Sequence, residues 1–252
     1  MKGYSQNPKY SDTVELNGVQ TYYEVYGNGS PLFMLHGFTQ SSKSWLPFVP
    51  DYSNEYEVYL VDLMGHGKSS PFTENVSVRS AAVQLEALVM HLGLDNIDAI
   101  GYSYGGEILF QLALLNPDRI SSMVIVGSCG TWNAVDFPEF VEYLSYKNVD
   151  NLTWMYEQQV SEERIKNILD QFPNYAVTVS AEELRSIKTR TLLVVGDNDP
   201  ATPFECVIKA KINLPNAFLW IVPNTEHRVH QGDNKDLFVK TSNDFLWSDN
   251  WK

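Results

Sequence analysis

The sequence has few cysteines and few basic residues. Two cysteines, Cys129 and Cys206, occur among 252 residues, and a chain of this length buries a large core without cross-links. We therefore predict two free, structural thiols. Lys and Arg number 18 against 31 Asp and Glu, for a formal charge of −13. Because such a charge repels phosphate backbones and anionic lipid, a nucleic-acid or membrane partner is not expected.

Long apolar runs and internal repeats are also missing. The longest apolar runs have the length of strands, and the polar segment from Met1 to Ser11 has no apolar stretch of the kind that a secretory signal needs. Without a repeat or a low-complexity tract, an array or a disordered chain is excluded. We predict a globular, cytoplasmic protein, either a monomer or a homodimer.

The sequence does contain a regular alternation of strand and helix patterns. Asn17-Gly18 predicts a hairpin, because both positions of a type I′ turn take positive φ. Two further segments have helical patterns, Val78 to Leu92, which stops at Gly93, and Tyr104 to Leu115, which stops before a proline. Six apolar runs predict buried strands: Leu32–Leu35, Val58–Val61, Ile97–Ile100, Met123–Val126, Leu192–Val195 and Phe218–Val222. This order predicts an α/β fold with a mostly parallel, eight-stranded sheet flanked by helices.

One stretch, residues 131–181, interrupts the alternation. It has helical patterns and many aromatic residues but no convincing strand. We predict a helical cap inserted after the sixth strand of a core formed by residues 1–130 and 182–252. Among its aromatic side chains, Trp132, Phe140 and Trp154 are predicted to line a substrate pocket.

The segment Gly101-Tyr102-Ser103-Tyr104-Gly105 lies between a predicted strand and a predicted helix. A serine on such a sharp turn has a strained backbone, and small residues are needed two positions to either side of it, where Gly101 and Gly105 stand. The helix N-terminus directs free N–H groups at developing negative charge. This context predicts Ser103 as a nucleophile.

Five motifs in this order resemble those of the α/β-hydrolase superfamily, in the branch of capped, carboxylesterase-like serine hydrolases. The resemblance covers nearly the whole chain and implies the α/β-hydrolase fold. Besides the Ser103 turn, the motifs are His36-Gly37-Phe38, Asp62 to Ser69, Gly196-Asp197-Asn198-Asp199 and Pro223 to His227.

The resemblance also implies roles for individual residues. His227 takes the position of the catalytic base, with His230 as the alternative. Asp199 takes that of the acid, with Asp197 as the alternative, although Asp197 fits better as a cap of the next helix. The backbone N–H groups of Phe38 and Tyr104 are expected to form the oxyanion hole, supported by His36 and Gly37. Neither a metal nor a cofactor is implied.

Two residues depart from the family pattern. Glu226 precedes His227 where the family has glycine, and it either raises the imidazole pKa or points to solvent. Glu107 stands where relatives in the menaquinone pathway have arginine, which argues against their pyruvate-eliminating reaction. We predict hydrolysis of a small, uncharged or weakly anionic carboxylic ester, lactone or thioester through an acyl-enzyme. Hydrolysis of a carbon–carbon bond, elimination of a small acid, and ligand binding without catalysis are the alternatives.

Overall fold

An eight-stranded sheet organises the protein, and the predicted α/β-hydrolase fold class is confirmed. The computed structural model describes residues 7–247 and 251, so part of the Met1 to Ser11 segment lies outside the described residues. The strands are β1 (Tyr10–Leu16), β2 (Val19–Gly27), β3 (Ser30–Leu35), β4 (Tyr56–Val61), β5 (Ile97–Tyr102), β6 (Ile120–Val126), β7 (Thr131–Asn133), β8 (Ala176–Thr178), β9 (Arg190–Gly196) and β10 (Ala217–Val222). The large sheet has the order β1-β2-β4-β3-β5-β6-β9-β10.

The predicted hairpin opens the sheet. Leu16 pairs with Val19, and both turn residues between them have positive φ, 53° at Asn17 and 77° at Gly18. β2 also pairs antiparallel with β4, whereas every later pair in the large sheet is parallel. The carboxyl ends of β3, β5, β6, β9 and β10 therefore meet at one edge, where the loops that follow these strands lie side by side.

Helices cover both faces of the sheet. The α-helices of the described residues are α1 (Val49–Tyr52), α2 (Val78–His91), α3 (Tyr104–Leu115), α4 (Pro138–Tyr143), α5 (Trp154–Gln158), α6 (Glu162–Gln171), α7 (Ala181–Ser186), α8 (Phe204–Asn213) and α9 (Lys235–Trp247), of which α4 to α6 belong to the 131–181 segment. Both predicted helices are present as α2 and α3. None of the helices within residues 7–247 combines the length and the apolar character that crossing a bilayer requires.

Two hydrophobic clusters explain why the strand sequences are continuous apolar runs. In β3, Phe33 and Leu35 belong to the cluster under α2 and α3, whereas Leu32 and Met34 belong to the cluster under α1 and α9. All four side chains are completely buried. Because each face of the sheet is covered, alternate residues are equally buried and the sequence shows no polar alternation.

The 131–181 segment contains strands that the sequence analysis did not predict. β7 and β8 pair antiparallel, with Trp132 opposite Val177, and close the base of the segment as a two-stranded ribbon. Each strand has three residues, which is too short for a period of two to stand out from the surrounding helical pattern. The division into core and cap stays a prediction.

The prediction of free thiols is wrong, because Cys129 and Cys206 form a disulfide with their Cα atoms 5.7 Å apart. The bond joins the loop after β6 to α8. Its partners are 77 residues apart in the chain, so only the tertiary fold brings them into range. The expected cytoplasmic location stays a prediction.

We expect the disulfide to stabilise the folded chain by about 2–4 kcal/mol, because closing a long loop lowers the entropy of the unfolded state. Urea unfolding with and without reductant measures this difference. The double variant Cys129→Ala, Cys206→Ala is the control. Its free energy of unfolding should equal that of the reduced wild type and should be the same with and without reductant. Equal unfolding midpoints for the oxidised and reduced wild type would contradict this expectation.

Candidate active site

Ser103 lies on a sharp turn between β5 and α3. Its backbone is in a strained region, with φ 51° and ψ −112°, a conformation that costs about 1–3 kcal/mol. The packing around it admits only glycine at two neighbouring positions. A Cβ at Gly101 would lie 2.6 Å from the carbonyl oxygen of Gly105, and a Cβ at Gly105 would lie 2.5 Å from that of Leu35. The turn therefore places Ser103 at the carboxyl edge of the sheet, directly before α3.

His227 and Asp199 lie beside Ser103. Nε2 of His227 is 3.0 Å from Oγ of Ser103, and its Nδ1 is 2.8 Å from Oδ2 of Asp199. Asp199 follows β9 and His227 follows β10, so the adjacent strand ends bring the two side chains together. With Nδ1–H donating to the carboxylate, the Nε2 lone pair accepts the Ser103 hydroxyl proton.

The Asp199 carboxyl is almost completely buried, with its side chain 1% exposed. Burial raises its pKa, but hydrogen bonds from His227 and from the Ala201 N–H outweigh burial and hold the pKa below its usual value. The group is therefore an anion at neutral pH. An anion at this position fixes the tautomer of His227 and favours a positive charge on the imidazole.

The two aspartates each bind the backbone of a different loop. Asp199 Oδ1 accepts hydrogen bonds from the backbone N–H groups of Ala201 and Thr202, at 2.8 and 3.1 Å. Both N–H groups lie in the loop before α8, and α8 itself has Pro203 at its N-cap with no side-chain cap hydrogen bond, so the structure does not show the helix cap expected of Asp197. Asp197 instead accepts a hydrogen bond from the Thr225 N–H at 3.2 Å and so ties down the loop that contains His227.

His230, the alternative base, lies away from Ser103. Its ring is buried among Trp45, Phe48, Tyr102 and Phe238, with centroid distances between 4.6 and 5.8 Å. Burial lowers its pKa to about 3. Val229 between the two histidines is also completely buried, so the chain turns inward after His227 and carries His230 into the core.

The N–H groups of Phe38 and Tyr104 have no hydrogen-bond partner among the described residues. Tyr104 is the first residue of α3, where no intrahelical acceptor is available. Gly37 lies before Phe38 and packs against Tyr102, where a Cβ would be 2.8 Å from the ring. The free N–H of Tyr104 therefore follows Ser103 directly in the chain, and the free N–H of Phe38 lies in the loop after β3, the strand next to β5.

Two buried histidines hold the Phe38 loop. Nε2 of His36 accepts a hydrogen bond from the Leu63 N–H at 3.0 Å, and its Nδ1 donates to the Gly37 carbonyl at 2.8 Å. Nε2 of His66 accepts from the Thr39 N–H at 3.3 Å. Burial lowers the pKa of His36 to about 4 and that of His66 well below its usual range. Both rings are therefore neutral, which leaves Nε2 free to accept. The sequence analysis did not assign this support to His66.

A cavity of about 360 Å³ opens above Ser103. The predicted pocket residues Trp132, Phe140 and Trp154 all line it. Tyr175 was missed, although its ring lies 5.6 Å from Phe38 and 5.2 Å from Trp132 between centroids. It belongs to the turn before β8, which no sequence pattern marked. Arg228 and Glu226 also border the cavity, and Glu226 is exposed, in agreement with the alternative that points it to solvent.

Glu107 is the unexpected polar residue of this cavity. It lies one turn after Ser103 in α3 and is 4% exposed. Burial raises its pKa from an ordinary 4.5 to about 7, against the opposing effect of the Ser128 hydroxyl and the N–H groups of Cys129 and Gly130. Among the described residues no three His, Cys, Asp or Glu side chains are grouped as a metal site.

Comparison with known proteins reveals extensive similarity. The family model of the alpha/beta hydrolase fold matches residues 30–160. A soluble epoxide hydrolase from Corynebacterium sp. (strain C12) is 33% identical over 111 residues, which span 44% of this chain but only 39% of that protein. A 2-hydroxy-6-oxononadienedioate/2-hydroxy-6-oxononatrienedioate hydrolase from Pseudomonas putida is 27% identical over 90% of this chain and 92% of its own. The structure of naproxen esterase from Bacillus subtilis superposes with a TM-score of 0.76 and 25% identity, over 94% of this chain and 91% of that one.

The raised pKa of Glu107 makes a prediction for stability. Between pH 4.5 and 7 the folded chain binds a proton that the unfolded chain has lost, so the wild type loses stability as the pH rises through this window. The compared quantity is the free energy of unfolding of Glu107→Gln minus that of the wild type. We expect this difference to increase by about 3 kcal/mol from pH 4.5 to pH 7. Urea unfolding at a series of pH values measures the difference.

The matched control for this measurement is Glu226→Gln, which changes an exposed carboxylate at the border of the same cavity. Its stability should run parallel to that of wild type at every pH. A parallel curve for Glu107→Gln as well would show that the Glu107 carboxyl titrates as it does in the unfolded chain.

Proposed function

Because the chain belongs to the α/β-hydrolase fold family, we propose that it is a serine hydrolase that cleaves small carboxylic esters, or related lactones and thioesters. The observation that carries this proposal is the pair of hydrogen bonds from Ser103 to His227 and from His227 to Asp199. An activated hydroxyl, a base and an orienting acid are the groups that acyl transfer needs. The similarity to naproxen esterase supports an ester as the substrate.

Acylation begins when Nε2 of His227 removes the proton from Ser103 and Oγ attacks the ester carbonyl carbon. The carbonyl oxygen becomes an oxyanion, which accepts hydrogen bonds from the N–H groups of Phe38 and Tyr104. Asp199 stabilises the imidazolium that forms. His227 then donates its proton to the alcohol oxygen, the carbon–oxygen bond breaks, and the acyl group stays on Ser103.

Deacylation uses the same groups, with water in the place of Ser103 as the attacking nucleophile. A water molecule takes the place of the departed alcohol, His227 removes its proton, and the hydroxide oxygen attacks the acyl carbon. The second oxyanion collapses, the bond to Ser103 Oγ breaks, and His227 returns the proton to that oxygen. The products are the free acid and a regenerated Ser103.

The 131–181 segment is proposed to be the cap that closes the cavity. It is anchored to the loop that begins at Phe38. Gln159 Nε2 donates to the carbonyl oxygens of Thr39 and Gln40, at 3.0 and 2.8 Å, and Gln158 Oε1 accepts from the Ser41 hydroxyl at 2.9 Å. Since Trp154 from the same segment lines the cavity, these bonds couple the shape of the pocket to the position of the proposed oxyanion hole.

Carbon–carbon bond hydrolysis is the second candidate, because a Pseudomonas putida hydrolase with a dienedioate substrate matches nine-tenths of the chain. The same triad serves both reactions, so the pocket decides between them. The buried Glu107 carboxyl in the cavity wall disfavours a dicarboxylate substrate through like-charge repulsion at pH values above its pKa of about 7, where it is ionised. An ester is therefore the first choice.

The triad is tested by labelling with a fluorophosphonate probe, followed by peptide mass spectrometry. We expect the label on Ser103 of the wild type and none on Ser103→Ala or His227→Ala. On an activated ester such as 4-nitrophenyl acetate, Asp199→Asn should lower kcat by about 10⁴-fold, because the wrong imidazole tautomer is stabilised. 2-Hydroxy-6-oxononadienedioate serves as the substrate for the second candidate.

Asp197→Asn is the matched control for Asp199→Asn, since Asp197 lies two residues away and its carboxylate accepts a hydrogen bond from the Thr225 N–H rather than from His227. It should retain labelling and most of the esterase activity. If the folded wild type is not labelled by the fluorophosphonate probe, the proposed hydrolase function is wrong and a binding protein of the same fold is favoured.

A further inference from the structure

Arg228 is the only lysine or arginine among the described residues that line the cavity above Ser103. It follows the proposed base, His227, directly in the chain and is an exposed residue. The lining residues Phe172 and Tyr175, in contrast, are buried. The cavity thus has an inner, aromatic end and an open end at which Arg228 lies. No step of the mechanism uses the Arg228 guanidinium.

Two aromatic side chains hold the Arg228 guanidinium beside His227. Its central carbon lies 5.5 Å from the ring centroid of Trp154, which is within the range of a cation–π contact. Burial raises the pKa of Tyr102, and the charge of Arg228 together with a hydrogen bond from it to the Tyr102 hydroxyl opposes this rise. The rings of Tyr102 and His227 are 5.1 Å apart between centroids. These contacts keep the arginine on the His227 side of the cavity.

The charge of Arg228 is not paired within the part of the chain that the structure describes. The ion pairs there join Asp and Glu to other basic side chains, although Glu107 and Glu226 line the same cavity. A guanidinium has five N–H donors in a planar fork, which matches the two oxygens of a carboxylate. Contact with one ring and one hydrogen bond leave most of these donors free for a ligand. The arrangement therefore suits a carboxylate at the open end of the cavity.

Building on the proposed esterase function, we propose that Arg228 selects substrates that have a carboxylate on the alcohol part of the ester. His227 protonates the alcohol oxygen as it leaves, so the alcohol part of a bound ester lies beside His227 and next to Arg228. The acyl part then takes the inner end of the cavity. A carboxylate at the inner end would lose its water with no cation to replace it, which is costly. At the open end it keeps part of its hydration and gains a bidentate ion pair.

Two pairs of esters test the role of Arg228. In the first pair, carboxymethyl butanoate and carbamoylmethyl butanoate differ only in a carboxylate or an amide on the alcohol part. In the second pair, monoethyl succinate and ethyl succinamate have the same difference on the acyl part. The readout is the ratio of kcat/KM for the carboxylate over the amide, measured by pH-stat titration. For the wild type we expect the ratio of the first pair to be about fivefold or more, as for a partly solvated ion pair. The ratio of the second pair should be about one or below.

Three variants assign the preference to the Arg228 guanidinium. Arg228→Gln should lower the ratio of the first pair to about one, because the positive charge is lost. Arg228→Lys keeps the charge without the planar fork, so its ratio should lie between those of Arg228→Gln and the wild type. Glu226→Gln is the matched control, since it removes an exposed charge from the border of the same cavity, and it should change the ratio by less than about twofold. Both positions are exposed, so all three variants are expected to fold.

A wild-type ratio near one for the first pair overturns the proposal. It is also overturned if Arg228→Gln lowers kcat/KM equally for both esters of that pair, since an effect through His227 or through the fold does not depend on the alcohol. If Glu226→Gln raises the ratio as much as Arg228→Gln lowers it, the net charge of the cavity mouth decides and no carboxylate site exists.

Labelling of Ser103 by the fluorophosphonate probe distinguishes failure of this proposal from failure of the esterase function. A labelled enzyme that shows no preference for the carboxylate refutes only the role of Arg228. An enzyme that is folded but not labelled refutes the esterase function itself.

Discussion

The turn at Ser103 is the constraint on which the rest of the site depends. The strained backbone persists only because Gly101 and Gly105 let α3 pack directly against β3 and β5, with no room for a side chain at either position. The parallel pairing of β5 with β3 and β6 places this junction between two neighbouring strands of the sheet. Once Ser103 is held there, the ends of β9 and β10 set the positions of Asp199 and His227, because those strands belong to the same sheet.

The loops around Ser103 are held by polar side chains that are buried and neutral, or buried and fully bonded. His36 and His66 act as hydrogen-bond acceptors for backbone N–H groups because burial keeps them unprotonated. Asp62 accepts from the N–H groups of Ser42 and Lys68. These bonds fix backbone geometry without regard to the substrate. Glu107, Ser128 and Tyr104 differ from these groups, since each is buried in the same region with a side-chain oxygen that has no hydrogen-bond partner among the described residues.

The 131–181 segment contacts both the cavity and the loops around Ser103. Gln158 and Gln159 bind the loop that follows Phe38, and the Arg164 guanidinium donates to the carbonyl oxygens of Gly67 and Ser69. Its aromatic side chains meanwhile form much of the cavity lining. A change in this segment therefore alters the shape of the pocket and the support of the Phe38 loop together, because the same few hydrogen bonds serve both.

The sequence by itself determined the features that depend on local patterns. Apolar runs marked β3 to β6 because a sheet covered on both faces buries consecutive residues, and the glycines around Ser103 marked the turn because no other residue fits. The resemblance to α/β-hydrolases implied Asp199 and His227, whose motifs follow strands that end at the same edge as the Ser103 turn. Tertiary structure alone decided the disulfide between Cys129 and Cys206, the support from His66, the place of Tyr175 and the unpaired state of Glu107. These depend on contacts between segments far apart in the chain, and no local period or spacing records which distant group will lie opposite a given side chain.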